Sequence, residues 1–463
     1  MRAFLQGFVF VTGVTVTGVT KNDYLCIMEF VNRENECAKL AAIHEASTFA
    51  SRMTVLIGRR RIGKTRLIRE SLKDRPYLYF FVSRKDEKLL CEEYIRQIRE
   101  VLDIPVFGEI SRFKDVFGLL MDYAGRQPLT LVIDEFQEFS RIQPAVYSEM
   151  QDIWDRHKDS SRMNLILSGS VYSLMRKIFE SSKEPLFGRA NERLEVRPFS
   201  TPVLKTLLAS LRPDFEPDDL LALYALTGGV PKYVEQFVDK GCLSYETMLD
   251  EIFQEHSIFL EEGKIVLIEE FGKEYATYFS ILSLLASSRT ARSELESILQ
   301  KDVGGYLNRL ENDYQIIHRI QPIFAKPNSR QVKYEVTDNF LHFWFRFLYK
   351  NRGAVEIGNF TYLRQVVERD YATYSGRILE KYFLEKLAYS HEWAEIGSYW
   401  EPGFQNQIDI VAVNPLEKRV LFAEVKRNRK QYSEHLLREK AHTLLKKFGG
   451  YSVEYKGLSL EDM

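Results

Sequence analysis

The chain has 463 residues, with 64 Lys and Arg against 65 Asp and Glu, 45% hydrophobic and 28% charged residues. These values exclude disorder, collagen and a polytopic membrane protein as descriptions of the whole chain. At about 150 residues per domain the length suggests roughly three domains, and the balanced charge gives no global pointer to a nucleic-acid partner.

Residues Ala3 to Thr20 carry no charge, but Gln6, Gly7, Gly13 and Gly18 break the run. It is too polar for a membrane span and lacks a signal-peptide cleavage pattern. Residues 1–27 read as a flexible leader ahead of a natural start at Met28. The cysteines Cys26, Cys37, Cys91 and Cys242 sit at no metal or redox spacing. That usage suits a reducing cytoplasm.

Met53 to Ile57 reads as a buried strand. It runs into Gly58-Arg59-Arg60-Arg61-Ile62-Gly63-Lys64-Thr65 and a helix that begins with Arg66. This is the G-x-x-x-x-G-K-[ST] phosphate loop, whose backbone N–H groups wrap phosphates. Gly58 and Gly63 permit the turn, Lys64 reaches the β/γ-phosphates, and the Thr65 hydroxyl binds Mg²⁺. Leu129 to Ile133 is a second buried strand, ending in Asp134-Glu135. An acid there can hold the metal and its neighbour can deprotonate the attacking water. Asp134 takes the metal role and Glu135 the base role, so ATP and Mg²⁺ are the expected cofactors.

Tyr77 to Val82, Asn164 to Gly169 and Glu192 to Arg197 complete a five-strand set, with a helix over 87–102. Strands alternating with helices predict a parallel α/β sheet with ligands at the strands' carboxyl ends. Either Ser168 or Ser170 senses the γ-phosphate, or the segment is a plain strand-to-helix turn.

Four segments then carry a resemblance: Phe30-Val31-Asn32-Arg33-Glu34-Asn35-Glu36, Gly58-Arg59-Arg60-Arg61, Leu186-Phe187-Gly188-Arg189-Ala190, and Thr227-Gly228-Gly229-Val230-Pro231-Lys232-Tyr233. Together they resemble the prokaryotic AAA+-related ATPases called archaeal-type ATPases, which are similar to the STAND signalling NTPases and the origin-recognition ATPases. The resemblance spans about residues 28–350, and the C-terminus resembles the companion DUF234 domain of that family. It implies an ATPase core over 28–200, a helical lid over 201–268 and a winged helix over 269–350. It also implies Pro231 near the adenine, and Arg189 as an arginine finger or sensor; a structural salt bridge is the alternative for Arg189.

The residues support the winged helix. Tyr275 to Ala286, Thr290 to Leu299 and Gly304 to Leu310 read as three helices, and Ile316 to Ile320 with Lys333 to Val336 as a β-ribbon. Between Ile316 and Lys333 stand Arg319, Lys326, Arg330 and Lys333 and no acid. Such a wing suits a phosphate backbone or, equally, a protein partner. Phe340 to Phe347 is an aromatic helix that reads as core, with His342 a packing histidine.

Residues 371–463 hold a second chemical signal. A helix starts at Gly376 to Glu380, and strands follow over Ala394 to Tyr399, Ile408 to Val413 and Val420 to Lys426. The side-chain period of two puts Glu424 and Lys426 on one face. The set Asp409, Glu424 and Lys426 resembles the PD-(D/E)xK nuclease-type fold, with Glu380 as the outer helix acid. That resemblance implies Mg²⁺ on Asp409 and Glu424, with Lys426 activating water. An edge strand with solvated charges, or a fold that binds without cutting, stays open. Lys418 to Lys447 contains ten Lys and Arg against three Glu, which suits a phosphate-backbone substrate.

The expected fold class is therefore α/β: a P-loop NTPase parallel sheet with helical lid, then a winged helix and a C-terminal α/β restriction-endonuclease-like domain. The expected activity is ATP hydrolysis at or near DNA. The rival is a nucleotide-dependent switch read by a protein partner, with a non-catalytic C-terminal domain. No membrane is expected as a partner, and the oligomeric state stays open.

Overall fold

The computed structural model describes residues 28, 30–326, 329, 331–401, 403 and 406–463. The leader expected over 1–27, with Cys26, and Arg330 of the wing lie outside the described residues.

Five strands build the first sheet: β1 Arg52–Ile57, β2 Leu78–Phe81, β3 Leu129–Asp134, β4 Met163–Gly169 and β5 Glu192–Glu195. Their order is β2-β3-β4-β1-β5, and all pairs are parallel. The central strands are mostly aliphatic and almost wholly buried, interrupted only by Thr54, Thr130, Asn164 and Ser168 before their polar ends, because helices cover both faces. On one face Met53, Val55, Leu131, Ile133 and Leu165 pack with the helices Glu87–Leu102, Phe113–Arg126 and Ala145–His157. On the other, Leu56, Val132 and Ile166 meet Leu40 of Glu34–Ser47 and Leu67 and Ile68 of Lys64–Ser71. The carboxyl ends of β1, β3 and β4 therefore open together at one edge.

Five helices come next: Thr201–Leu211, Pro217–Thr227, Pro231–Asp239, Tyr245–Ile252 and Phe259–Phe271. Tyr275–Ala286, Arg292–Leu299 and Gly304–Asn308 then lead into an antiparallel ribbon of β6 Ile317–Ile320 and β7 Lys333–Val336. His342 is half-buried and stacks on Tyr374 at 5.4 Å.

The helix expected to start at Gly376 begins sixteen residues earlier. It runs Phe360–Tyr389, capped by the Asn359 side chain, which accepts from the Tyr362 N–H. Gly376 does not break it. A mid-helix glycine costs about 1 kcal/mol relative to alanine, and burial of Tyr371, Tyr374, Ile378, Leu379, Tyr382 and Phe383 outweighs that. The expected boundary at 371 thus falls inside one continuous helix.

The second sheet has the order β11-β10-β9-β8, from β8 Glu395–Tyr399, β9 Ile408–Asn414, β10 Arg419–Val425 and β11 Ser452–Leu458. It is mixed: β8/β9 and β9/β10 are antiparallel, β10/β11 parallel. Ile410, Ala412, Leu421 and Ala423 pack toward the long helix. Val411, Val413, Val420 and Phe422 pack against Glu434–Leu445, the crossover between the parallel strands.

Among the described residues, no helix is long and apolar enough to cross a membrane.

Candidate functional site: a phosphate loop and a distant carboxylate cluster

The loop after β1 closes on the first turn of Lys64–Ser71. Gly63 sits at φ +86°, a conformation that favours glycine. A Cβ on Gly58 would stand 2.8 Å from the Val196 carbonyl oxygen, so only glycine fits between loop and β5. The Lys64 ammonium is buried and donates to the carbonyls of Gly58 at 2.6 Å and Arg59 at 3.0 Å. Burial pushes its pKa down to about 8, while Asp134 and Glu135 work against that fall.

Beside it, the Thr65 hydroxyl donates to Oδ2 of Asp134 at 3.2 Å, and the Tyr79 hydroxyl donates to the same oxygen at 2.5 Å. Burial, then the hydrogen bond to Asp134, raises the Tyr79 pKa. Glu135 sits at φ +55°, which few non-glycine residues adopt. Its Oε2 accepts from the Ser170 hydroxyl at 2.7 Å and from Gln137 Nε2 at 2.5 Å. Lys64, Thr65, Asp134, Glu135, Ser170 and Pro231 line one cavity of about 460 Å³. Pro231 enters it from the first turn of Pro231–Asp239.

Of the two candidate serines, Ser170 faces Glu135. Ser168 is buried inside β4. Arg189 pairs with Asp155 at 3.1 Å and donates to the Phe187 carbonyl. It does not line the cavity.

The loop's arginines reach outward to three neighbours. Arg59 donates to the Gln315 carbonyl and lies 3.6 Å from Asp338, so it touches the chain just before β6 and just after β7, at the base of the ribbon. Arg61 pairs with Glu262 at 2.8 Å, where Tyr233 also donates. Arg66 pairs with Glu235 at 3.3 Å and donates to the Met28 carbonyl. Arg60 and Ile62 border both the phosphate cavity and a second one of about 350 Å³. That second cavity lies between the core, the ribbon and the long helix.

Tyr79 and Gln137 were not legible as site residues. Tyr79 lies in an aromatic strand and reads as core; only its place one strand from Asp134 hints at a role. Gln137 stands two residues after Glu135 and carries no motif.

The C-terminal residues also meet. The β9/β10 register brings Glu424 alongside Asp409, and both are buried. Lys426 donates to Oε1 of Glu424 at 2.8 Å, and Lys440 donates to both Glu424 oxygens at 2.9 and 3.1 Å. Asp409 Oδ2 accepts from the Val425 N–H at 2.9 Å. Burial, then the Glu424 charge, raises the Asp409 pKa. Burial, Asp409 and Glu335 raise that of Glu380 to about 8. Lys440 is a member that spacing did not announce. It comes from a helix turn beyond the motif. Among the described residues, no three His, Cys, Asp or Glu side chains form a metal-holding group.

Comparison with known proteins matches residues 30–237 to a family described as an ATPase domain predominantly from Archaea. Residues 344–440 match DUF234, archaeal and bacterial proteins of unknown function. The chain carries an archaeal-type ATPase domain and a DUF234 domain. The uncharacterized protein MJECL04 of Methanocaldococcus jannaschii is 29% identical over 407 residues, covering 86% of this chain and 87% of that one. The Walker-type ATPase PABY2304 of Pyrococcus abyssi is similar in structure at TM-score 0.52 and 18% identity, over 68% of this chain and 95% of that one. That likeness speaks for the fold alone. The ORC2 protein of Aeropyrum pernix aligns at TM-score 0.49 and 15% identity, over 73% and 97%.

Proposed function

We propose that the ATPase domain hydrolyses ATP in the 460 Å³ cavity, and that the chain acts on nucleic acid through its C-terminal half. The observation that carries the first part is the convergence of Lys64, Thr65, Asp134 and Glu135 on one cavity. The loop N–H groups and Lys64 hold the phosphates. Thr65 and Asp134 offer two hard oxygens 3.2 Å apart, a donor set that fits Mg²⁺. That ion would supply charge neutralisation for the leaving phosphate. Glu135 orients and deprotonates the attacking water, and Ser170 and Gln137 fix its carboxylate. We assign 28–200 to the core, 201–268 to the lid that brings Pro231 to the nucleotide, and 269–350 to a winged helix. Arg189 keeps its ion pair within one chain and serves as a finger only toward a neighbouring copy. ATP and the free thiols Cys37, Cys91 and Cys242 fit the cytoplasm.

The test is phosphate release from ATP with Mg²⁺. Glu135→Gln is expected to bind ATP and not turn it over. Undiminished turnover in that variant would remove Glu135 from the mechanism.

For the C-terminal half, the ten-to-three excess of bases over Lys418 to Lys447 supports nucleic-acid contact. Both oxygens of Glu424 are already engaged by ammonium groups. That arrangement does not fit a divalent ion on Asp409 and Glu424, and it favours a domain that holds a strand without cutting it. A second reading, cleavage, keeps the neighbouring Asp409, Glu424 and Lys426 as its support. Mg²⁺-dependent nicking that disappears in Asp409→Ala and Glu424→Ala would establish it. A protein partner replaces nucleic acid if no affinity for either DNA or RNA is found.

A further inference from the structure

The tip of the ribbon is docked on the C-terminal sheet. The Ile323 N–H donates to the Ser398 carbonyl at 2.8 Å. Ile323 also fills the space in front of Gly397, where a Cβ would meet it at 3.4 Å. Phe324 stands edge-on to Phe448 at 5.8 Å, and the Lys447 ammonium lies 5.4 Å from the Phe324 ring.

This docking encloses a cleft of about 380 Å³ between the ribbon tip and the end of β8. Its walls carry the rings of Phe324, Tyr399 and Trp400, the cations Lys326 and Lys447, and one carboxylate, Glu401, which accepts from the Tyr399 hydroxyl at 3.4 Å. Phe324 and Tyr399 are half-buried, and Lys326 and Lys447 are exposed at the rim. Trp400 forms the floor at 3% exposure, with the Lys333 ammonium 4.4 Å from its ring centroid. The Trp400 indole N–H is buried and has no acceptor among the described residues. A buried donor left unpaired costs about 1–3 kcal/mol, and native structures rarely leave one without a reason.

We propose that this cleft binds single-stranded nucleic acid, a reading that rests on the nucleic-acid contact inferred above and narrows it. An unstacked base has a flat face for Phe324 and Tyr399, and stacking on rings tolerates any sequence. Its carbonyl or ring nitrogen is an acceptor for the Trp400 N–H. Lys326 and Lys447 meet the flanking phosphates. A cleft of this volume is the size of a small-ligand pocket and admits a base, not a double helix.

The test is fluorescence anisotropy on the full chain, with a labelled oligothymidylate and a duplex of equal length. The single strand is expected to bind more tightly than the duplex, with affinity falling linearly in log salt. Phe324→Ala and the pair Lys326→Ala/Lys447→Ala are each expected to weaken single-strand binding by about tenfold. ATP turnover in these variants should stay at the wild-type value, which shows that they fold. Equal single-strand affinity in wild type and variants overturns the cleft. If the duplex then still binds, the broader nucleic-acid reading survives. If neither nucleic acid binds at low salt, both fall.

Discussion

The Tyr79 hydroxyl donates to Oδ2 of Asp134 at 2.5 Å, the same oxygen that accepts from Thr65. The phenol reaches across from β2 to the end of β3 and fixes the carboxylate beneath the phosphate loop. Tyr79→Phe removes that bond and leaves the ring. A hydrogen bond of this kind contributes about 1 kcal/mol, which is about fivefold in an equilibrium constant. The Mg²⁺ concentration for half-maximal turnover should rise by about that factor. ATP affinity in the presence of EDTA should not move. An unchanged Mg²⁺ requirement would make Tyr79 a packing residue alone.

Lys64 is buried, and its own loop carbonyls hold it in place. Lys64→Ala should lower kcat for ATP by about a hundredfold or more, the scale of losing one preorganised charge donor in a closed site. Steady-state phosphate release checks it.

Arg59 ties the phosphate loop to the base of the ribbon through Gln315 and Asp338. The ion pair is partly exposed, so its removal is worth about 1 kcal/mol or less. Arg59→Ala should raise trypsin cleavage after Arg319 or Lys333 by up to about fivefold, because opening of the ribbon becomes easier. Asp338→Asn should give a similar increase, and the double variant should add little more.

His342 stacks on Tyr374 near Lys381, Arg346 and Arg377, and burial with those cations pushes its pKa down to about 3. The unfolded histidine titrates near 6.5. Between these values the unfolded chain binds a proton that the folded chain does not. Stability from this group is therefore complete above about pH 6.5 and declines as the pH falls toward 3, by up to about 1.4 kcal/mol per pH unit. His342→Phe should flatten the fall in melting temperature between about pH 6.5 and 4.5. A wild-type slope in the variant would assign the acid sensitivity to other groups.

The central strands β1, β3 and β4 were legible because each is a mostly aliphatic run, bounded by a motif or a polar stop, that helices bury on both sides. The phosphate loop and Asp134-Glu135 were legible for a related reason. Their chemistry demands fixed residue types at the ends of such runs. Tyr79 was not, since it reaches the site only through the parallel pairing of β2 with β3, which spacing does not encode; Gln137 was not, since it bonds Glu135 from a tight turn that no motif marks. The long helix runs through Gly376 because buried tyrosines on either side outweigh one residue's propensity. β11 escaped the pattern because Ser452–Leu458 is mostly half-buried and lacks a hydrophobic run. The docking of Ile323 on Ser398 joins two segments far apart in the chain, and nothing local to either foretells it.

The helix Phe360–Tyr389 is about 45 Å long at about 1.5 Å per residue. Arg364, near its start, pairs with Glu246 and Asp250 of the helix Tyr245–Ile252. Glu385, near its end, accepts from Tyr224 of another at 2.6 Å. Its opposite flank is the floor of the C-terminal sheet. Two of the helices that follow the first sheet and the C-terminal sheet are thus mounted on one continuous helix. A displacement of either would be carried to the other along a single rigid element rather than through a loop.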